Sequence, residues 1–237
     1  MIRDLWVQFL TAWQETSGIE ILAAVLAVLY LVLAIRQKLS CWVAAFISSC
    51  LYVWVFFGAR LYMESVLNAF YAAMAVYGFQ QWRRGRGGAA LVVCRWPIAP
   101  HLAGALGIGV LSLVSSYFLR RYTAAAWPLV DSLVTWSSVF ATFLVTRKVY
   151  ENWHWWLVID SVSLCLYFTK HLYLTTLLFG LYLVLIVLGM RQWRSSLLSA
   201  AAVAALEEAN AAGRARAPAT GHAGTRTTRH AGTHAKG

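Results

Sequence analysis

The sequence predicts an all-α integral membrane protein. Seven transmembrane helices are expected, arranged as two parallel three-helix repeats with a linking helix between them. Three observations carry this. Of 237 residues, 60% are hydrophobic and 12% are charged, about half the charged share of a soluble domain. The apolar residues gather into seven runs, each near the roughly 20 residues that a helix needs to cross hydrocarbon. The chain also repeats: shifted by 111 positions, it matches itself without a gap.

The runs cover about 19–35, 42–58, 62–82, 101–119, 127–146, 153–169 and 173–192. Glu20, Glu64 and Asp131 stand near the starts of the first, third and fifth, where the helix dipole favours an acid. They are read as structural. The longest connection, Arg83 to Pro100, precedes the fourth run and is punctuated by Gly85, Gly87, Gly88 and Pro97. The fifth opens with Trp127-Pro128, an interfacial indole followed by proline at the first helical position. Trp82 and Trp193 close the third and seventh runs and read as interfacial anchors as well.

Beyond Trp193 an Ala-rich stretch continues as a short helix to about Ala212, and a Gly/Thr/His/Arg tail follows. The tail has little apolar surface to bury and is expected to be disordered. The N-terminus, with Trp6, Trp13, Glu15 and Glu20 ahead of the first run, lacks the pattern of a cleaved signal peptide. The organisation expected is an extracytoplasmic segment 1–18, a first repeat 19–83, a loop and linking helix 84–126, a second repeat 127–194 and a cytoplasmic segment with a basic tail 195–237.

A net charge of +11 raises the question of nucleic acid. The basic residues instead sit in short clusters between apolar runs and in the tail, the pattern of membrane topology. One face carries Arg36, Lys38, Arg83, Arg84, Arg86, Arg95, Arg147, Lys148, Arg191 and Arg194. The other carries Arg3, Arg60, Arg120, Arg121 and Lys170. Positive-inside bias then predicts an N-terminus outside and a C-terminus in the cytoplasm of a bacterial-type inner membrane. Cys41, Cys50, Cys94 and Cys165 form no CxxC pair and read as ordinary small apolar residues. The tail histidines His222, His230 and His234 are scattered and are not read as a metal site.

The repeat is specific. Arg36 falls on Arg147, Trp42 on Trp153, Tyr71 on Tyr182, Gly78 on Gly189 and Gln81-Trp82-Arg83 on Gln192-Trp193-Arg194. Three helices reverse the direction of the chain, and a fourth restores it. The two triplets then run parallel about an axis along the membrane normal, a 3+1+3, SWEET-like architecture that transporters use, with the site expected between the repeats near the midplane.

Polar residues in the spans point to that site. Asn152, Trp156 and Asp160 are spaced four apart on the sixth helix and share one stripe, which Ser163 and Tyr167 extend. Asp160 lies about 12 Å along the helix axis, near the bilayer middle. A carboxylate there costs several kcal/mol unless it faces a cavity or a partner. With Trp156, and Trp153 beside it, it suits a flat cationic ring through stacking, cation–π attraction and charge pairing. The alternative role is an acceptor between packed helices. Asn68 and Tyr71 share a face of the third helix. Asn68 suits a substrate amide or hydroxyl, or equally a neighbouring helix. The second helix offers Ser48, Ser49, Tyr52 and Trp54, and Ser49 is the repeat partner of Asp160, so the halves differ where a substrate would sit.

With these residues in view, the chain resembles the PnuC family of nicotinamide riboside transporters over about 20–194. The matching segments are Asp131-Ser132, Thr146-Arg147-Lys148, Glu151-Asn152-Trp153 leading to Trp156, and Tyr77-Gly78 with Trp82. The resemblance implies vitamin uptake by facilitated diffusion, with a separate enzyme trapping the substrate by phosphorylation. It implies a substrate site at Asn152, Trp156, position 160 and Asn68. Two positions depart from the pattern: the nicotinamide riboside branch tends to carry Asn at 160 and Gln at 68. An acid at 160 suits the pyridinium of nicotinamide riboside and equally the thiazolium of thiamine, which relatives of the family carry.

The expected partners are a small-molecule substrate and the lipid bilayer, with no nucleic acid; a homo-oligomer stays open. No cofactor is expected. No phosphate-binding glycine loop appears, which argues against direct use of ATP. Seven helices invite a retinal-protein reading, but Lys170 sits at a helix boundary beside His171, where snorkelling explains it. No Ser/His/Asp or HExxH arrangement suggests an enzyme. A sugar carrier of similar architecture fits the Trp–Asp stripe less well.

Overall fold

The structure, a computed structural model, describes residues 17–60, 62–85, 91–123, 127–170 and 173–216. The N-terminal residues Trp6, Trp13 and Glu15, the loop residues Arg86 to Gly88, and the tail with its histidines lie outside them. The described chain is all-helical: α1 Gly18–Ile35, α2 Cys41–Gly58, α3 Tyr62–Arg84, α4 Ile98–Tyr122, α5 Pro128–Thr146, α6 Asn152–Thr169 and α7 Tyr173–Arg216.

Local chemistry sets the helix starts. Ser17 caps α1, its hydroxyl accepting from the Glu20 amide. Pro128 opens α5 behind Trp127, with Asp131 in the first turn. Pro97 precedes α4, which begins at Ile98 and ends at Tyr122, three residues beyond the expected span at each side. Pro100 is tolerated in the first turn because its missing N–H would have no intrahelical partner there.

Five helices (α1, α2, α4, α5 and α7) are long and apolar enough to cross a membrane. The other two are long enough, about 34 Å for α3 and about 27 Å for α6 at 1.5 Å per residue, but carry polar residues such as Asn68 and Asn152 with Asp160. Helix α7 continues past the apolar run ending near 192 through the Ala-rich stretch, as the sequence leads one to expect, and reaches Arg216 rather than about Ala212. It is one continuous helix of 44 residues, because Ala, Leu and Glu leave nothing to break it. Among the described residues, those up to Ala200 form one compact unit and those from Ala201 a second. In that second unit residues 201–212 are exposed throughout.

The core of the first unit gathers Ala34, Cys41, Trp42, Trp82, Val145, Tyr150, Trp153, Ile186 and Trp193. Trp82 and Trp193 are therefore not interfacial anchors, being only 8% and 0% exposed. The reason is one turn earlier on each helix. Gly78 and Gly189 have no side chain, so the indoles of Trp42 and Trp153 lie directly against the α3 and α7 backbones. Trp82 then meets Trp42 edge-on at 5.4 Å, and Trp193 meets Trp153 edge-on at 5.4 Å. Trp82 and Trp193 themselves are 6.4 Å apart, making a row of four indoles.

The same register orders the hydrogen bonds. The Trp82 indole N–H donates to the Val145 carbonyl, and the Trp193 N–H to the Ala34 carbonyl. Ala34 and Val145 are themselves 111 positions apart. Gln37 and Lys148, also repeat equivalents, both adopt left-handed backbone (φ 54° and 51°), and the Lys148 ammonium donates to the Gln37 side-chain oxygen at 3.4 Å.

The segment before α4 crosses the loop between α5 and α6 as a short strap. Cys94 pairs with Val149 in a parallel bridge. Glu151 accepts from the Arg95 guanidinium at 3.0 Å and from the Trp96 amide at 3.2 Å.

Candidate functional site

A cavity of about 340 Å³ opens between α1, α2, α3, α5, α6 and α7, within the range of small-molecule sites. All seven residues expected from the sequence line it. Asn152, Trp153, Trp156 and Asp160 come from α6, Asn68 and Tyr71 from α3, and Ser49 from α2. Ser48, Tyr52, Ser163 and Tyr167 join them, whereas Trp54 is 74% exposed and points elsewhere. Lys170 follows the end of α6, exposed and outside the lining.

The end nearest the starts of α2 and α6 is closed. There Ala34, Trp42, Val145, Asn152, Trp153 and Ile186 are each 5% exposed or less. Toward the other end Tyr52, Asn68, Tyr167 and Phe179 are half-buried. The row of four indoles lies at the closed end, with Trp42 and Trp153 in the lining and Trp82 and Trp193 behind them.

Charge is concentrated at one point. Asp160, halfway along α6 and 5% exposed, is the carboxylate of the described lining, and no Lys, Arg or His lines the cavity with it. A buried carboxylate without a protein cation favours a cationic ligand. One turn earlier Trp156 supplies an aromatic face. Asn152 donates its amide N–H to the Val149 carbonyl at 2.6 Å, while its side-chain oxygen is buried without a partner. That oxygen is an acceptor the fold leaves unfilled. Asn68 donates to the Glu64 carbonyl of its own helix at 2.9 Å, so its oxygen is the end left over for a ligand.

Sequence reasoning missed Tyr30 of α1, Ser138 and Thr142 of α5, and Phe179 and Tyr182 of α7. The repeat held the signal. Much of the lining falls into pairs 111 positions apart, among them Ala27 with Ser138, Leu31 with Thr142, Asn68 with Phe179 and Tyr71 with Tyr182. Once Tyr71 is a candidate, Tyr182 follows.

The nicotinamide mononucleotide transporter family model matches residues 17–195, which takes in the cavity and the indole row. Among similar proteins, the riboflavin/roseoflavin transporter RibM of Streptomyces davaonensis is 25% identical over 187 residues, covering 76% of this chain and 84% of that protein. The nicotinamide riboside transporter PnuC of Escherichia coli is 26% identical over 208 residues, covering 77% and 87%. The crystal structure of the vitamin B3 transporter PnuC superposes with a TM-score of 0.63 at 22% identity, over 82% of this chain and 88% of that one. The match takes in the first six helices and the cavity-lining part of the seventh, and the chain belongs to the nicotinamide mononucleotide transporter family.

Proposed function

We propose that the chain is a membrane carrier importing nicotinamide riboside by facilitated diffusion, with phosphorylation by a separate enzyme trapping it inside. The observation that carries the substrate is Asp160, a buried carboxylate in the cavity lining with no cation among the described lining residues to neutralise it. Nicotinamide riboside brings a permanent positive charge on a flat ring, which Asp160 pairs and Trp156 stacks. Its carboxamide offers a donor to the free oxygen of Asn152. Its hydroxyls suit Ser49, Asn68 and Tyr71 across the cavity. A nucleotide fits less well, because a phosphate would meet Asp160 and no basic side chain.

The framework we propose for this activity is two parallel three-helix repeats, 19–83 and 127–194, joined through the loop and linking helix 84–126. The reciprocal bonds of Trp82 to Val145 and Trp193 to Ala34 support it, since a two-fold relation makes each contact occur twice with roles exchanged. The distribution of Arg and Lys supports an N-terminus outside and a C-terminus in the cytoplasm.

A second reading is favoured by the similarity to RibM, under which the cargo is a neutral flavin. Thiamine, also cationic, is the alternative within the first reading. Calorimetric titration of the purified protein with nicotinamide riboside, thiamine and riboflavin, beside an Asp160→Asn variant, separates them. Nicotinamide riboside binding that weakens in the variant is expected. Riboflavin binding that the variant leaves unchanged would replace the proposal.

A further inference from the structure

We infer that Trp82 and Trp193 form a paired latch whose indole N–H bonds hold one end of the transport path shut. The inference rests on the transport reading above and names residues that no substrate touches. Trp42 and Trp153 line the cavity at its closed end. Trp82 and Trp193 stand behind them, each edge-on to one lining indole. They are positioning residues, acting on the path through the indoles they support.

What makes them a latch is where their N–H groups go. Trp82, near the end of α3, donates to Val145 near the end of α5 at 3.2 Å. Trp193, on α7, donates to Ala34 near the end of α1 at 3.1 Å. Each bond therefore joins one half of the chain to the other, at a carbonyl that also accepts from a backbone amide three residues on, Lys148 and Gln37 respectively. The Lys148 ammonium covers the Trp82 ring at 4.5 Å and reaches Gln37 of the opposite half. Gln37 in turn donates to Ser196 at 2.8 Å. The closed end is thus tied by contacts between halves that occur twice in the same register, and separating the halves there breaks both indole bonds together. Neither bond is needed to complete a helix, because both carbonyls keep their backbone donors.

Native Cys41 reports on the latch. It is fully buried in the same cluster, next to Trp42. In a chain where Cys50, Cys94 and Cys165 are replaced by alanine, alkylation of Cys41 by a charged, membrane-impermeant maleimide is measured in proteoliposomes from each side. Trp82→Phe and Trp193→Phe keep the rings and remove the N–H groups. Each should raise the alkylation rate at least about tenfold from the side that carries Arg83, Arg84 and Arg194, while Trp136→Phe, which loses a bond to Ser115 outside the cavity, should not. Unchanged Cys41 reactivity in both variants, or an equal rise in Trp136→Phe, overturns the latch. The reading is taken without substrate, so a wrong substrate and a wrong latch give different results. Where a phenylalanine variant does not fold, Gln37→Cys with Lys148→Cys in a cysteine-free chain replaces it. Bridging that pair with a short bis-methanethiosulfonate should stop nicotinamide riboside uptake reversibly and leave binding intact. Uptake that continues across the bridge refutes the latch.

Discussion

Gly189→Ala tests whether the packing at the closed end shapes the site. A Cβ on Gly189 would stand 2.4 Å from Trp153 Cη2 and 2.5 Å and 2.6 Å from the neighbouring ring atoms, where ordinary contact begins near 3.4 Å. The indole must move by about 1 Å, as the difference of these distances requires. Trp193, one turn beyond Gly189 on the same helix, flanks it with perpendicular ring planes and centroids 5.4 Å apart, and the Trp153 ring itself lines the cavity. Overpacking of this kind costs about 1–3 kcal/mol of stability, and here the displaced ring also intrudes on the ligand. Gly104→Ala is the matched control. Its Cβ would meet Phe140 Cζ at 2.5 Å, a similar nearest contact with a ring that does not line the cavity. Both variants should lose comparable thermal stability in detergent, and only Gly189→Ala should weaken nicotinamide riboside binding by calorimetry, by roughly tenfold or about 1.4 kcal/mol. Equal affinity in the two variants would mean that Trp153 yields away from the cavity, and the argument from the glycine contacts would fail.

Opposite charges about 5 Å apart at an effective dielectric near 20 attract by about 3 kcal/mol. With solvent at the open end screening part of this, Asp160→Asn should weaken nicotinamide riboside binding roughly tenfold and leave a neutral flavin unaffected; equal loss for both would remove the charge argument. Asn152→Leu should reduce affinity for nicotinamide riboside more than for the same nucleoside lacking its carboxamide, because the carboxamide N–H then loses its acceptor; an equal reduction in side-by-side titrations contradicts that role. Burial pushes the Lys148 ammonium below the ordinary lysine range, so the folded chain holds that proton less tightly than the unfolded chain. Its contribution to stability then rises as pH rises toward about 10.4, and melting curves of Lys148→Met should lack that upward component. Glu151→Gln breaks the ion pair with Arg95, whose side chain is 68% exposed; a thermal-stability loss well above about 1 kcal/mol would show the strap to be more than a surface contact.

The seven helices were legible because each run has about the length that crosses a membrane, five of them being apolar enough to do so, and the candidate residues because polar groups are conspicuous in such runs. Asn152, Trp156 and Asp160 share the face of α6 that their spacing of four requires, and that face lines the cavity. Less legible was anything that depends on which helices meet. Trp82 and Trp193 look like interfacial anchors by position, since a tryptophan at the end of an apolar run usually stands at the membrane boundary. Their burial follows from Gly78 and Gly189 one turn earlier, a relation readable only once the packing of Trp42 and Trp153 is known. Ser138 and Thr142 escaped notice for a different reason. Hydroxyls in membrane helices commonly bond their own backbone, as Thr142 does to the Ser138 carbonyl at 2.7 Å, and the sequence does not say which of them also faces a cavity. The strap 91–97 was read as loop, because a single bridge between Cys94 and Val149 leaves no periodicity.

The two halves of the chain agree and differ in separate places, and the division follows function. At the closed end the indoles and the glycines they pack on match, Trp42 with Trp153, Gly78 with Gly189 and Trp82 with Trp193, and the indole hydrogen bonds land on equivalent carbonyls. In the cavity they part: Ala45 corresponds to Trp156, Ser49 to Asp160, and Asn68 to Phe179. A passage opened by two halves moving against each other needs equal fittings on both, because an unmatched bond would hold one side while the other gave way. A ligand with a cationic ring at one end and hydroxyls at the other has no two-fold symmetry, and a site that kept the symmetry of the repeat would offer it two equivalent poses. Replacing Ser49 by Asp would restore an acid to both halves. It should let nicotinamide riboside bind in either orientation while burying a second carboxylate beside the first, which costs stability wherever both are ionised. Lower thermal stability is therefore expected for Ser49→Asp at neutral pH, and unchanged stability would show that positions 49 and 160 do not share one buried site.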